Sequence, residues 1–222
     1  MPSKTPSTVT KMPCKLRLKL ANECVSILAR TKLKSSRQEF KFSIIHSKNA
    51  SEQVLAGMMD LFEQLMRELY EKSSWGWNEA EKLAEWKHSR TRIILVTKKD
   101  VCDPMSNVVE NELPIQEDDQ LVGFMCFRFE KGADLSEAAL YVYELHIRNE
   151  YQRQGLGEEL MRMARVIATE FKMDKMMLTA FRYNQSAIQF YNKLRFVTDA
   201  TSPDKSEADY VILSQKINSG KK

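Results

Sequence analysis

The chain has 222 residues, 43% of them hydrophobic, with 34 lysines and arginines against 30 acids. That is enough apolar material for one buried core with tails, and no apolar run approaches the roughly 18 residues that a membrane span needs. Cys14, Cys24, Cys102 and Cys126 form no C-x-x-C pair and His46, His88 and His146 are scattered, which argues against a metal site and for a reducing compartment. The opening MPSKTPSTVTKMPCK carries no apolar block of the signal-peptide kind, and Pro2 stands where myristoylation would need Gly. The charge is uneven. Up to Lys41 there are ten basic residues against two acids, Glu23 and Glu39, which leaves 24 basic and 28 acidic residues beyond. A basic N-terminal arm, residues 1–37, therefore precedes a mildly acidic body, residues 38–217, and residues 218–222 read as a disordered tail. Contact with nucleic acid or an ordinary solvated tail and helix face would each account for the arm. The acidic body suits a basic ligand better than a polyanion.

Residues 1–13 are rich in Pro, Ser and Thr and read as disordered. From Leu16 to Leu33 apolar residues at Leu16, Leu20, Val25 and Leu28 suggest a helix. EFKFSIIH alternates Phe40, Phe42 and Ile44 as a strand would. Asn49, with Glu52 three residues on, resembles a capping box opening a long helix that ends near Tyr70. RIILVT, LVGFMCFRF and AALYVYELHI read as three antiparallel strands, the first two separated by a polar, acidic connection over 98–119 that reads as a surface insertion. GEELMRMARVIATEFK is an amphipathic helix, KMMLTAF a buried strand, and NQSAIQFYNKL a second helix with Asn184 as N-cap. FVTDA and DYVILSQKI close the chain as strands. The order βαα-βββ-α-β-α-ββ implies an α/β domain with a mixed sheet and helices on both faces.

Gln152-Arg153-Gln154-Gly155-Leu156-Gly157 lies between a strand and a helix. It is no P-loop, because Glu158 follows Gly157, and no Rossmann fingerprint, because Leu160 takes the third glycine's place. What remains is two glycines, a cation at Arg153 and the positive end of a helix dipole, a cradle for a pyrophosphate. This pattern, with LTAFRYNQSAIQFYNKLRF downstream, resembles the acetyl-coenzyme A signature of the GNAT acetyltransferases over about residues 120–200. Arg195 stands where many members have Gly before Phe196.

LYEKSSWGW, FRFE, YVYELHI, QRQGLG, MLTAF and YVILS occur in the order found in the N-terminal acetyltransferases of the NatD type, and that likeness spans about Lys41 to Ile217. The resemblance implies a GNAT fold, a mostly antiparallel sheet splayed between its fourth and fifth strands. It implies acetyl-coenzyme A as co-substrate, with no metal, and transfer to the α-amine of core histones beginning Ser-Gly-Arg-Gly, by a monomeric enzyme of nucleus and cytoplasm. By position, Tyr143 and Glu144 would be the catalytic pair. Leu145, His146, Ile147, Arg153, Gln154, Gly155, Leu156, Gly157, Glu158 and Asn184 would hold the co-substrate. Tyr70, Trp75, Glu130, Tyr143, Thr179 and Tyr210 would line the peptide, with Glu130 in place of the family's usual Asp. The superfamily's usual proton donor to the leaving thiolate falls at Tyr191, where the closer family tends to have Phe.

Residue chemistry alone supports part of this. An α-amine has a pKa of about 7.7 to 8.0 against about 10.4 for lysine, so far more of it is a neutral nucleophile at pH 7. Glu144, a carboxylate on an apolar strand and on the opposite face from Tyr141 and Tyr143, could act as base through a water. A backbone N–H freed where YELHI parts from MLTAF could meet an oxyanion. A substrate arginine would need Glu130, Asp209 or Glu144. Trp77 and Cys126 read as core residues. Acetylation of a lysine side chain or a small amine, and a non-catalytic coenzyme-A-binding chromatin module, are the competing readings.

Overall fold

The computed structural model describes residues 12–31, 33–37, 39–98, 108–110, 120–132 and 136–217. Eight strands form one sheet in the order β3-β1-β2-β4-β5-β6-β8-β7. They are β1 Phe40–His46, β2 Arg92–Lys98, β3 Val108–Glu110, β4 Leu121–Lys131, β5 Ala138–Ile147, β6 Lys175–Phe181, β7 Val197–Thr198 and β8 Tyr210–Lys216. Two neighbouring pairs, β1 with β3 and β5 with β6, are parallel and the others antiparallel. The central meander β2-β4-β5 is the one the apolar runs suggest. β3 is not. It falls inside the connection read as a surface insertion, and its buried Val108 and Val109 make it an edge strand on β1.

Among the described residues six α-helices cover the sheet: α1 Cys14–Asn22, α2 Ile27–Thr31, α3 Glu52–Glu71, α4 Glu79–Trp86, α5 Leu156–Glu170 and α6 Gln185–Lys193. One core joins α1, α2, α5 and the buried Tyr191 of α6 to one sheet face, through Leu18, Ile27, Met125, Phe127, Leu140, Leu160 and Ile167. The other joins α3 and α4 to the opposite face, through Val54, Met58, Phe62, Trp86, Phe124 and Cys126. Cys126 is fully buried, and Trp77 stacks on Phe62 at 5.2 Å.

Two local expectations are corrected. The helix expected over Leu16–Leu33 is two helices, and its buried face is Arg17, Leu18, Ala21 and Ile27, while Leu16, Leu20 and Val25 are exposed. The break has a tertiary cause. Glu110 of β3 accepts from the Ile27 and Leu28 N–H groups at 2.6 and 3.1 Å and from Ser26 Oγ, and so caps α2 from across the fold. The N-cap of α3 is Ser51, whose hydroxyl accepts from Val54 N–H at 3.2 Å; Asn49 instead ends a short 3₁₀ turn, Ser47–Asn49. Finally, the arm from residue 14 onward packs into the same core as the sheet, and Arg17 donates to Asp174 at 2.7 Å. The disorder expected over residues 1–13 falls almost wholly outside the described residues, as do the 218–222 tail and Cys102.

Candidate active site

β5 and β6 are joined only from Ala139–Lys175 to Val142–Leu178. Beyond that register they part, while β5 stays paired to β4 as far as Ile147. The separation opens a cleft of about 1580 Å³ between the sheet and the helices α3, α5 and α6. A parallel pair that splays leaves backbone groups of Tyr143 to Ile147 with no β6 partner, which is where an N–H donor for an oxyanion was expected.

The splay starts at a β-bulge. Cys126 pairs with Glu144, but Phe127 pairs with Val142, so Tyr143 is the extra residue of β5. A bulge shifts the alternation by one. Tyr143 and Glu144 therefore both face the α3–α4 layer, where strict alternation would have put them on opposite faces. Tyr143 packs with the core of that layer, and Glu144 meets Lys82 of α4.

Glu144 is 5% exposed, yet side-chain partners hold it on both sides. Lys82 Nζ donates to Oε1 at 2.8 Å, and His146 Nε2 lies 2.6 Å from Oε2. Burial works against the ionised carboxylate. Lys82 and His146 outweigh it and hold the carboxyl at about 2. Lys82 also reaches Glu85 at 3.2 Å and sits 5.1 Å from the centre of the Tyr70 ring. Burial opposes its charge too, but Glu144 foremost raises its pKa above the usual lysine range.

The remaining predicted peptide residues split into two groups. Tyr70, Trp75 and Tyr210 form one aromatic rim with Phe181: Trp75 lies 4.9 Å from Tyr210 and 5.2 Å from Phe181, and Tyr70 lies 5.1 Å from Phe181. Trp75 is 48% exposed, held by a loop whose Ser74 N–H donates to Asp209 at 2.7 Å. On the second side, Tyr143 donates to Glu130 at 2.9 Å under the guanidinium of Arg128, which stands 4.2 Å from the ring centre. Burial first, then the Glu130 charge, pushes the Tyr143 phenol above its ordinary range. Thr179 is hydrogen-bonded to Tyr141 and faces the cleft. Glu130 and Tyr210 are set back from the cleft wall, acting on it through Tyr143 and Trp75.

At the other end of the cleft stand Leu145, His146, Ile147, Arg153, Gly155, Leu156, Gly157, Glu158 and Asn184. Gly155 is the N-cap of α5 in the left-handed region (φ 82°), with no side-chain cap, so the first N–H groups of the helix are left for a ligand. At Gly157 a Cβ would come within 3.2 Å of the Phe190 ring, so glycine there lets α6 approach α5 closely. These features fit a pyrophosphate. Gln154 turns away, donating to Glu150 O at 3.0 Å, and Asn184 caps α6 by accepting from Ala187 N–H at 3.2 Å. Tyr191 lines the cleft and is buried, which raises its pKa above the usual tyrosine range, with the Glu144 charge adding to the effect.

Lys82, Glu85, Arg128 and Phe181 are site residues that sequence reasoning missed. For Lys82 a signal exists, a lysine four positions before Trp86 on a short capped helix, but its partner is 62 residues away. Among the described residues there is no group of three metal-ligating side chains, and no helix is long and apolar enough to cross a membrane.

Residues 59–196, more than half of the chain, match the model of the acetyltransferase (GNAT) family. Among solved structures, an acetyltransferase from Streptococcus agalactiae is 11% identical (TM-score 0.56), covering 81% of this chain and 99% of its own. A GNAT-family acetyltransferase from Staphylococcus aureus is also 11% identical (TM-score 0.55), covering 79% and 99%. A chain of the NatC complex bound to Gag peptide and CoA is 15% identical (TM-score 0.52), covering 81% and 99%. With the bulged, splayed β5 and the glycine cradle at the start of α5, these matches place the chain: it belongs to the acetyltransferase (GNAT) family.

Proposed function

We propose that this acetyltransferase transfers acetyl from acetyl-coenzyme A to the α-amine of a protein N-terminus, with core histone tails beginning Ser-Gly-Arg-Gly as the substrate. The observation that carries this reading is the setting of Glu144, buried with Lys82 Nζ 2.8 Å from one carboxylate oxygen and His146 Nε2 2.6 Å from the other. A carboxylate held at about 2 by Lys82 and His146 is a weak base. It could do little for a lysine ammonium, of which less than about a thousandth is neutral at pH 7, whereas roughly a tenth or more of an α-amine is neutral already. A site with so weak a base suits the acceptor that needs it least.

In this reading the α-amine enters between the aromatic rim and β5, and its nitrogen attacks the thioester carbonyl. The C–N bond forms, the C–S bond breaks, the amine proton leaves to solvent, and the thiolate takes a proton. The fixed negative charge of Glu144 favours the positive charge that develops on the nitrogen. In this reading Tyr191, a buried phenol on the cleft wall, would donate to the thiolate. An arginine at the third position of the substrate would meet Glu130 beside Tyr143. Glu144 is buried against Lys82 and His146 and Asp209 holds the Ser74 loop, whereas Glu130, though paired with Tyr143 and 3.9 Å from Arg128, is 30% exposed. The NatC complex, one chain of which shares this fold, is bound to Gag peptide and CoA, which supports a peptide as the acceptor.

The test is mass spectrometry of two peptides beginning Ser-Gly-Arg-Gly-Lys after incubation with acetyl-coenzyme A, one with a free and one with a blocked α-amine. One acetyl on the free N-terminus and none on the blocked peptide is the expected outcome. Lysine acetylation on both would replace the α-amine reading with a side-chain acetyltransferase.

A further inference from the structure

Ser74 and Asp209, 135 positions apart in the sequence, meet beside the aromatic rim. Asp209 Oδ2 accepts from Ser74 N–H at 2.7 Å, and Asp209 Oδ1 accepts from Ser74 Oγ at 3.4 Å. Each residue directly precedes a ring of the rim. Trp75 follows Ser74, Tyr210 follows Asp209, and the two rings pack at 4.9 Å. The clasp therefore ties the turn between α3 and α4 to the start of β8.

Both sides are built to present it. In the turn, Ser73 Oγ donates to the Tyr70 carbonyl at 2.7 Å and accepts from Trp75 N–H at 3.2 Å, and Gly76 takes the left-handed conformation (φ 69°) just after Trp75. Opposite it, three consecutive residues at the end of β6 each hold a different part. Phe181 joins the rim. Arg182 N–H donates to the Asp209 carbonyl at 2.8 Å, and its guanidinium donates to the Ala208 carbonyl at 3.0 Å and the Pro203 carbonyl at 2.6 Å. Tyr183 stacks on Phe181 at 5.2 Å and donates to the Leu69 carbonyl of α3, a second bond across the same gap.

The clasp stands between two spaces. Trp75 and Phe181 line the acetyl-transfer cleft, whereas Ser74, Arg182, Tyr183 and Asp209 line a separate hollow of about 540 Å³. Little of this is core. Ser74 is exposed, and Trp75 leaves about half of its surface in water. A half-exposed indole gains less from burial than a core ring does, so its place depends on what fixes its neighbours. A bond from an exposed loop to a carboxylate adds little to global stability. Holding a large ring still at the mouth of a cleft, in contrast, lowers the cost of ordering that mouth when a chain binds.

We infer that Asp209 is a positioning residue for the acceptor. Its clasp on Ser74 fixes Trp75 at the mouth, and so governs how tightly a peptide is held rather than how fast acetyl is transferred. This rests on the peptide reading of the acceptor.

The experiment uses the full chain and a free-amine peptide beginning Ser-Gly-Arg-Gly-Lys. Steady-state kinetics compare wild type, Asp209→Ala, Asp209→Asn, Trp75→Ala and the Asp209→Ala/Trp75→Ala double variant. Asp209→Ala is expected to raise the peptide KM about ten-fold, with a far smaller change in kcat and in KM for acetyl-coenzyme A. Asp209→Asn keeps an oxygen for Ser74 N–H and should recover most of the loss. Because Asp209 acts through Trp75, the two substitutions should not add: the double variant should match Trp75→Ala. Additive effects, or an unchanged peptide KM, would overturn the assignment. An Asp209→Asn variant as impaired as Asp209→Ala, with the loss vanishing for a peptide carrying alanine at its third position, would overturn it too, since Asp209 would then hold the substrate guanidinium directly. Acrylamide quenching of tryptophan fluorescence supplies a readout that needs no acceptor. Trp86 is fully buried and Trp77 is stacked on Phe62, so quenching reads Trp75 foremost, and it should increase in Asp209→Ala but not in Asp209→Asn. Equal quenching in all three chains would refute the clasp. A wild-type chain that leaves the free α-amine unmodified would sink the α-amine reading, while the quenching comparison would still decide whether Asp209 fixes Trp75.

Discussion

Lys82 Nζ lies 2.8 Å from Glu144 Oε1 with both side chains nearly excluded from water, at 10% and 5% exposure. One comes from α4 beneath the aromatic rim, the other from the bulge of β5, so the ion pair ties the floor of the cleft to the helix layer under it. Removing one partner of such a pair strands a buried charge, at about 3 to 5 kcal/mol. The Lys82→Met variant should therefore unfold at markedly lower urea than wild type at pH 7. Because the folded Glu144 carboxyl sits at about 2, below its unfolded value of 4.5, its contribution is complete above 4.5 and is lost as pH falls through about 2. The deficit of Lys82→Met should shrink in urea titrations run from pH 7 down to pH 3. A deficit constant across that range would mean that Lys82 matters for packing rather than for charge.

The same carboxylate shapes the pH profile of the reaction. With Glu144 ionised throughout the neutral range, kcat/KM on a free-amine peptide should rise toward pH 8, following the α-amine, with no second inflection between pH 5 and 7. Initial rates over pH 5 to 9 would show it. An inflection near pH 6 would point to a carboxyl or imidazole acting as base.

Glu130 accepts from Tyr143 at 2.9 Å, stands 3.9 Å from Arg128, and is the acid that the proposed function gives to a substrate guanidinium. A charge-assisted contact of this kind is worth about 1.5 to 3 kcal/mol. The Glu130→Ala variant should raise KM for a Ser-Gly-Arg-Gly peptide at least about ten-fold, and far less for a peptide with alanine at the third position. Equal effects on the two peptides would remove Glu130 as the arginine partner.

Arg195 adopts φ 65°, the left-handed turn that ends α6, with Phe196 N–H donating to the Tyr191 carbonyl at 3.0 Å. A side chain in that region is strained, and this one is exposed. The Arg195→Gly variant should be more stable by about 1 kcal/mol, a rise in Tm of roughly 2 to 4 °C, with unchanged kcat/KM. A fall in Tm would show that the arginine makes a compensating contact.

The parts of the molecule legible in the sequence are those with local causes. The glycine pair needs a left-handed turn at Gly155 and a close approach at Gly157, and both are present. The apolar runs of β2, β4 and β5 mark a buried meander by length and composition alone. What escaped was decided at a distance. Ser51 outcompetes Asn49 as a cap within two residues, but the break between α1 and α2 is set by Glu110, more than 80 residues away. The bulge at Tyr143 leaves no trace in a period-two pattern, because only the β4 partner reveals that a residue is extra. Lys82 is an ordinary surface type in sequence, and only the fold brings it to Glu144.

The two ends of the sheet carry a consequence for the chain's behaviour at high concentration. A bare strand edge invites pairing with another copy, and natural sheets blunt theirs with very short final strands. Here the outermost strands are β3, three residues, and β7, two residues. Glu110, besides capping α2, anchors β3 over part of the seven-residue β1. β3 thus covers Phe42 to Ile44 on the outer edge of β1. Loss of the β3 pairing would bare that edge of β1 to another copy of the chain, at a distance from the acetyl-transfer cleft.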